Sequence, residues 1–356
     1  SIFAPSLILS SLLGWNIYWT NLFMGGLLII YTLSGGARAV AYTQQLQFAI
    51  ILLSMFLAGY LLVHLMPEQV GFVDALDISG KLGKLNVITD GMTAKGFNWG
   101  DNYNIWSGII GGFFLALSYF GTDQSQVGRF LTGKSVRESR LGLLMNGLVK
   151  IPMQFLILLV GALLFSYYSF ERAPLIFNQV QEERIQRSVY RDSFQLAQVR
   201  YDSFQLIKRR VATEYVQAGG QGSVQASLLI PKLQQAQTEA DAVRKQVKGW
   251  LNDRVPGGDG NDTNYIFIRF VLDHLPAGLV GLLIAMIFLA SWGSIAAAIN
   301  SLAACSMVDL HNRFAKYPAE GEQAYRLSKW YTLGWGVFCI VVAMFTYNIG
   351  NSFKCC

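Results

Sequence analysis

The stretch AGLVGLLIAMIFLASWGSIAAAINSLAACSMVD, residues 277–309, carries no charge until Asp309 closes it. A bilayer core of about 30 Å needs about twenty apolar residues in a helix, so this stretch crosses a membrane and projects at one end. Midway, its bulky residues give way to Ala290, Ser291, Gly293, Ser294, Ala296, Ala297, Ala298, Asn300 and Ser301. Positions 290, 294, 297, 298 and 301 fall at helical spacing and make one narrow stripe of small or hydroxyl groups. Such a stripe has two readings. One is a packing seam, where small residues let backbones approach and serines bond back to the carbonyl four residues earlier. The other is an ion site, where freed carbonyls and a serine hydroxyl act as hard oxygen ligands for a dehydrated alkali cation.

The rest of the chain sets that span in an all-α polytopic membrane protein. Of 356 residues 53% are hydrophobic and 14% charged, with a mean hydropathy of +0.36. An ordinary soluble domain is about 25% charged, so that class is excluded. Spans are expected at 2–13 (the tail of one), 21–33, 47–66, 105–120, 141–166, 277–309 and 330–345, seven in all with one partial. The glycines of Ser34-Gly35-Gly36-Ala37-Arg38 should break the helix between the second and third. Arg129, Lys134, Arg137 and Arg140, opposed by Glu138 alone, make that short loop cytoplasmic by the positive-inside bias. Residues 309–329 read as a second basic cytoplasmic loop, and 67–103, with five acids and three lysines, face outside. Cys305 and Cys339 lie in apolar runs and Cys355 and Cys356 at the end, which gives neither a metal spacing nor a disulfide framework. Beginning inside an apolar run and ending in NSFKCC, the sequence reads as an internal fragment.

Lys150 stands about nine residues into its span, directly before Ile151-Pro152. A cation near mid-membrane costs about 2.5–3.5 kcal/mol, so it faces a wet cavity or an opposite charge unless it snorkels to the interface. Residues 171–264 differ from everything around them, with thirteen Lys or Arg and eight Asp or Glu between Arg172 and Arg254. They read as an extramembrane helical hairpin turning at Gly219, Gly220 and Gly222, its basic face being solvated helix surface, with no nucleic-acid partner. Parity from the 129–140 loop puts this insertion outside, because long loops escape the positive-inside bias.

Three motifs carry a family resemblance. Ala290-x-x-Gly293-Ser294, Asn300-Ser301 and Asp309 resemble the A-x-x-S-S, N-S, D signature of the eighth core helix in sodium/solute symporters, the family of sodium-glucose and sodium-proline carriers. YTLSGGARAVAYTQQLQ, residues 31–47, resembles the family's Y-T-x-x-G-G-x-x-A-V-x-x-T-D-x-x-Q, with Gln44 where many members carry Asp. SYFGTDQSQVGRFL, residues 118–131, resembles Y-x-G-x-D-Q-x-x-V-x-R-x-L, where the sixth core helix unwinds beside the substrate. Residues 262–276 resemble the family's short external helix.

The resemblance implies a partial five-plus-five inverted-repeat transporter core with a soluble helical insertion. Its parts would be 1–170 (membrane core, partial third to seventh core helices), 171–264 (extramembrane insertion), 265–350 (external helix, eighth and ninth core helices) and 351–356 (truncated end). It implies sodium-coupled symport of a small organic solute, such as a sugar, amino acid, sialic acid or carboxylate, by alternating access in a lipid bilayer. No catalysis and no organic cofactor are implied, only sodium as coupling ion. The ion would sit at Ala290, Gly293 and Ser294, with Ala290 and Ser294 as ligands and Gly293 leaving the site one oxygen short of the family pattern. Ser118, Tyr119, Asp123, Gln124 and Lys150 would line the solute path. A bacterial inner membrane is the expected location. A sensor domain fused to a signalling protein is the alternative, and a channel a third option.

Overall fold

The structure, a computed structural model, describes residues 6, 9, 15–86, 89–93, 96–98, 104–131, 135–315 and 321–352. It is helical throughout apart from a small hairpin in which Met92–Thr93 pairs with Gly96–Phe97. The main helices are α1 (Ile17–His64), α2 (Phe72–Lys81), α3 (Ile105–Gly121), α4 (Gln124–Leu131), α5 (Val136–Phe170), α6 (Gln179–Gln186), α7 (Arg191–Gln217), α8 (Ile230–Arg254), α9 (Tyr265–His274), α10 (Ala277–Cys305) and α11 (Gly321–Ser352). Among the described residues four segments are long and apolar enough to cross a membrane: Tyr42–His64, Val136–Phe170, Ala277–Phe314 and Gly321–Phe345. Ile105–Gly121 is apolar but shorter, and the partial span at 2–13 falls mostly outside the described residues.

Two expectations need correction. Residues 21–33 and 47–64 both fall within α1, whose helical bonding runs through the glycines with no loop between them, although the chain does reverse there as expected. The Tyr31 and Thr43 hydroxyls are hydrogen-bonded at 2.6 Å. Twelve residues of straight helix span about 18 Å, more than the two side chains together can bridge, so α1 turns back on itself between them. The second correction concerns 309–329, whose described residues, 309–315 and 321–329, are largely helical. A π-helical turn, Ser306–His311, widens the end of the α10 span, and α11 begins at Gly321 rather than near 330. Its first turn is helped by an i,i+4 pair, Arg326 Nη2 to Glu322 Oε1 at 2.7 Å, with the acid at the helix N-terminus.

The chain divides into two compact units. One comprises Ser1–Leu52, Ile109–Gly147 and Gly281–Cys356. Its core joins Leu28 and Ile29 of α1, Ile295, Ala296 and Ile299 of α10, and Ile340 and Ala343 of α11. Glycines permit this close approach: a methyl carbon on Gly336 would lie 2.7 Å from Ile29, and one on Gly25 would collide with Ile340.

The other unit comprises Leu53–Gly108 and Leu148–Val280. Here α7 and α8 pack as a hairpin. Buried Leu233, Ala236, Ala240, Val243, Val247 and Leu251 recur every three or four residues along α8, the spacing of a coiled-coil seam. Its turn is a Schellman close: Gly220 N–H bonds to the Tyr215 carbonyl and Gly219 N–H to that of Val216, with Gly219 at φ 93°, where a side chain would be strained. The hairpin docks on α2, Tyr215 donating to Asp77 Oδ2 at 2.5 Å and Gln234 to the Lys81 carbonyl at 2.9 Å. In turn α2 is fixed to α5, where Ser79 donates to the Ala162 carbonyl at 2.7 Å. Buried Asp262 closes the base of the hairpin, accepting from Phe177 N–H at 2.9 Å and pairing with Arg244 at 2.9 Å and Lys248 at 2.6 Å.

Candidate functional site

The small-residue stripe lies on α10, in the unit that holds the first part of α1. Ser294 donates its hydroxyl to the Ala290 carbonyl at 3.2 Å, and Ser291 does the same to Ile287 at 3.0 Å, so both serines are bonded back along the helix. Ser294 is exposed, while Gly293 is buried. What buries Gly293 is Gln44: a methyl carbon on the glycine would sit 2.7 Å from Gln44 Nε2 and 3.3 Å from its Cγ. Positions 44 and 293 are the two at which the sequence departs from the symporter pattern, Asp replaced by Gln and Ser by Gly. In the fold they are one contact, the longer amide taking up the space that the missing serine side chain leaves. Sequence reasoning noted both departures and missed their pairing, since nothing local links residues so far apart.

Aromatic and polar groups flank this contact at the edge of the apolar core. Tyr31, bonded to Thr43, lies beside the Trp292 ring at 6.4 Å between centroids. Trp292 Nε1 and Gln47 Nε2 are buried donors with no acceptor among the described residues. Unmatched buried donors are costly, so this neighbourhood is suited to an acceptor group. Beyond the stripe, the π-helical turn bearing Asp309 is fixed to α11 by Trp335 Nε1 donating to Ser306 Oγ at 2.8 Å and by Tyr331 and His311 at 3.2 Å.

The second set of expected residues marks a real interruption. Helix α3 stops at Gly121 and α4 starts at Gln124. The Ser118 carbonyl receives the N–H groups of both Thr122 and Asp123 at 3.0 Å, and the Asp123 carboxylate caps the new helix, accepting from Ser125 N–H at 2.9 Å and Ser125 Oγ at 2.7 Å. Ser118 and Gln124 are exposed, and Tyr119 is half-buried with its ring edge-on to Phe120 at 5.0 Å. Lys150 is exposed on α5, two residues before Pro152, and belongs to the other unit.

A model of the sodium:solute symporter family matches residues 1–186, more than half of the chain. The chain belongs to that family. Similar members are the sodium-dependent multivitamin transporter of Oryctolagus cuniculus, 26% identical over 98% of this chain and 41% of the relative, and the sodium/sialic acid symporter NanT of Aliivibrio fischeri, 22% identical over 90% and 46%. A solved structure of a sodium-coupled sialic acid symporter, in a substrate-bound outward-open state, matches in fold with a TM-score of 0.62 at 18% identity, over 99% of this chain and 56% of the other. This symporter-family chain thus spans about half the length of the relatives it matches. It is an integral membrane protein of a transporter family, not an enzyme.

Proposed function

We propose that the chain forms part of a sodium-coupled secondary transporter, built on a five-plus-five inverted-repeat core, that moves a small organic solute by alternating access. The observation that carries this reading is the Ala290–Ser294 pair on α10, the helix whose sequence resembles the family's eighth core helix. Two oxygens 3.2 Å apart can both touch one cation at about 2.4 Å, subtending roughly 84° at the ion, provided the serine proton turns away from the carbonyl. Gly293 contributes no oxygen, and Gln44 seals the helix behind it. The interruption at Ser118, Tyr119, Asp123 and Gln124 supplies a shaped wall for the solute. Lys150, part-way along the α5 span, is taken separately as a charged group on the solute's route.

Residues 171–264 are assigned to the outer face of a bacterial-type plasma membrane. Support comes from the core that α2 shares with α7 and α8, the acid-rich composition of 67–103 and the basic composition of 129–140, which suits the cytoplasm. The test is uptake by the full-length protein in proteoliposomes under sodium or potassium gradients, across sugars, amino acids, sialic acids and carboxylates. Sodium-stimulated uptake of one class is expected, and Ser294→Ala should raise the half-activating sodium concentration several-fold at unchanged abundance. Uptake of no class under a sodium gradient overturns the transport reading. Altered abundance with intact sodium dependence reduces the stripe to a packing seam.

A further inference from the structure

A cavity of about 650 Å³ lies wholly within the unit that contains the hairpin, where the last turn of α5, helix α6, the start of α7 and helix α9 meet. That volume is in the range of small-molecule sites. One wall is aromatic, from Tyr167, Tyr168 and Phe194, and the rest mixes charged side chains with glutamines and a few aliphatic groups. Tyr167 is held in place by a 2.7 Å bond to His274 Nε2, while His274 Nδ1 contacts the Phe270 carbonyl at 3.0 Å, so this wall is preset.

Most of the charges in the lining are already matched. Arg172 makes two hydrogen bonds to the Asp202 carboxylate, Glu171 pairs with Arg209 at 3.5 Å, and Asp273 takes Arg269 Nε at 2.8 Å. Two groups are left over. Arg269 Nη1 is buried with no hydrogen-bond partner among the described residues. Among the described residues the Glu182 carboxylate has no hydrogen bond and no ion pair within bonding distance, and burial pushes it up, with Arg269 and Arg172 pulling the other way. The unmatched inventory is therefore one guanidinium nitrogen and one carboxylate beside an aromatic wall. A neutral polyol leaves the charges unanswered, and a simple anion answers only one of them.

We propose that this cavity is a second solute site, outside the transport path, that binds small zwitterions of the amino-acid type. The ligand carboxylate takes Arg269 Nη1, the ammonium takes Glu182, and an apolar side chain lies against Tyr167, Tyr168 and Phe194. Lys150 precedes Tyr167 by seventeen residues on α5, which is about 26 Å of helix, so no solute this small touches both.

Binding measured by titration calorimetry on the full-length protein in sodium-free potassium buffer separates this site from sodium-driven uptake, so failure of the transport reading leaves the result interpretable. The probes are L-leucine, L-leucinamide (ammonium without carboxylate) and 4-methylpentanoate (carboxylate without ammonium). L-Leucine should bind, and each single-charge analogue should bind at least tenfold more weakly. Glu182→Gln and Arg269→Gln should each weaken L-leucine at least tenfold. If Arg269→Gln does not fold, Glu182→Gln with the two analogues carries the test. No L-leucine binding at millimolar concentration, equal binding of 4-methylpentanoate, or undiminished binding in Glu182→Gln would each overturn the proposal.

Discussion

Adding the serine that the symporter pattern carries at position 293 should, by itself, damage the protein. The new Cβ would lie 2.7 Å from Gln44 Nε2, 3.3 Å from Cγ and 3.4 Å from Cδ. Nonbonded heavy atoms prefer about 3.5–4.0 Å, so the amide end must swing away and the nearer methylene must shift by several tenths of an ångström. The amide is the flexible end of its side chain, which limits the penalty to an off-rotamer term of about 0.5–1.5 kcal/mol plus overpacking, roughly 1–3 kcal/mol in all. Gln44→Asp shortens the side chain by one carbon and should relieve the crowding. The double variant Gln44→Asp/Gly293→Ser should therefore be more stable than the sum of the single changes predicts, by about 1 kcal/mol or more. The assay is a double-mutant cycle on unfolding of the detergent-solubilised full-length protein, repeated as sodium activation of uptake. There Gly293→Ser alone should give no gain, and the double variant should need less sodium. Additivity within about 0.5 kcal/mol would refute the reasoning, because contacting residues couple and independent ones add.

Three further outcomes are expected. Lys208 is 3% exposed in the α7–α8 seam, bonded to Gln237 Oε1 at 3.1 Å and lying over the Phe165 ring at 5.7 Å, and burial lowers its ammonium to about 8. Below pH 8 it is charged in both folded and unfolded chains. Between pH 8 and about 10.5 only the unfolded chain keeps the proton, so hairpin stability should rise with pH across that window by up to about 3 kcal/mol. Lys208→Met should remove that slope and stabilise the hairpin at pH 7, read by thermal unfolding with a fluorophore on Gln221→Cys. Asp262→Asn should strand Arg244 and Lys248 and cost about 3–5 kcal/mol, seen as faster proteolysis of residues 171–264 at pH 7.4. Burial raises the Asp262 carboxyl, but Arg244 and Lys248 outweigh it and hold it below the usual range, so the wild-type chain should lose this contribution only as the pH falls below about 4. Lys150→Met keeps length and removes charge, and should weaken solute affinity far more than abundance in uptake kinetics; unchanged kinetics would mean that the lysine only snorkels.

Local chemistry made parts of this architecture readable. The uncharged run of 277–309 is α10 and its π-helical extension, the glycine- and aspartate-containing 121–123 ends one helix and caps the next, and the three glycines after Gln217 close the hairpin. These features depend on neighbours in sequence. The contact of Gln44 with Gly293 depends on where α1 turns back, which helical bonding alone conceals and a single side-chain bond between Tyr31 and Thr43 betrays. Lys208 hides for another reason. The apolar repeat of α8 is regular, but its partner helix puts Gln205 and Lys208 into the buried face, so polarity there misreports exposure. The cavity beside α9 draws on four segments between Tyr167 and His274, none of which has a binding pattern by itself.

The fastening of the hairpin has a practical consequence. Tyr215 and Gln234 tie it to α2, and Ser79 ties α2 to α5, so a 27-residue helix, about 40 Å long, is anchored to membrane-spanning structure by directional bonds rather than by a loose tether. An antibody fragment gripping the exposed Leu196, Val199, Leu206 and Ile207 side of α7 would report on α5 without entering the bilayer. The same rigidity makes the hairpin a natural landmark for aligning single-particle images of a protein that otherwise offers a detergent belt little to be recognised by.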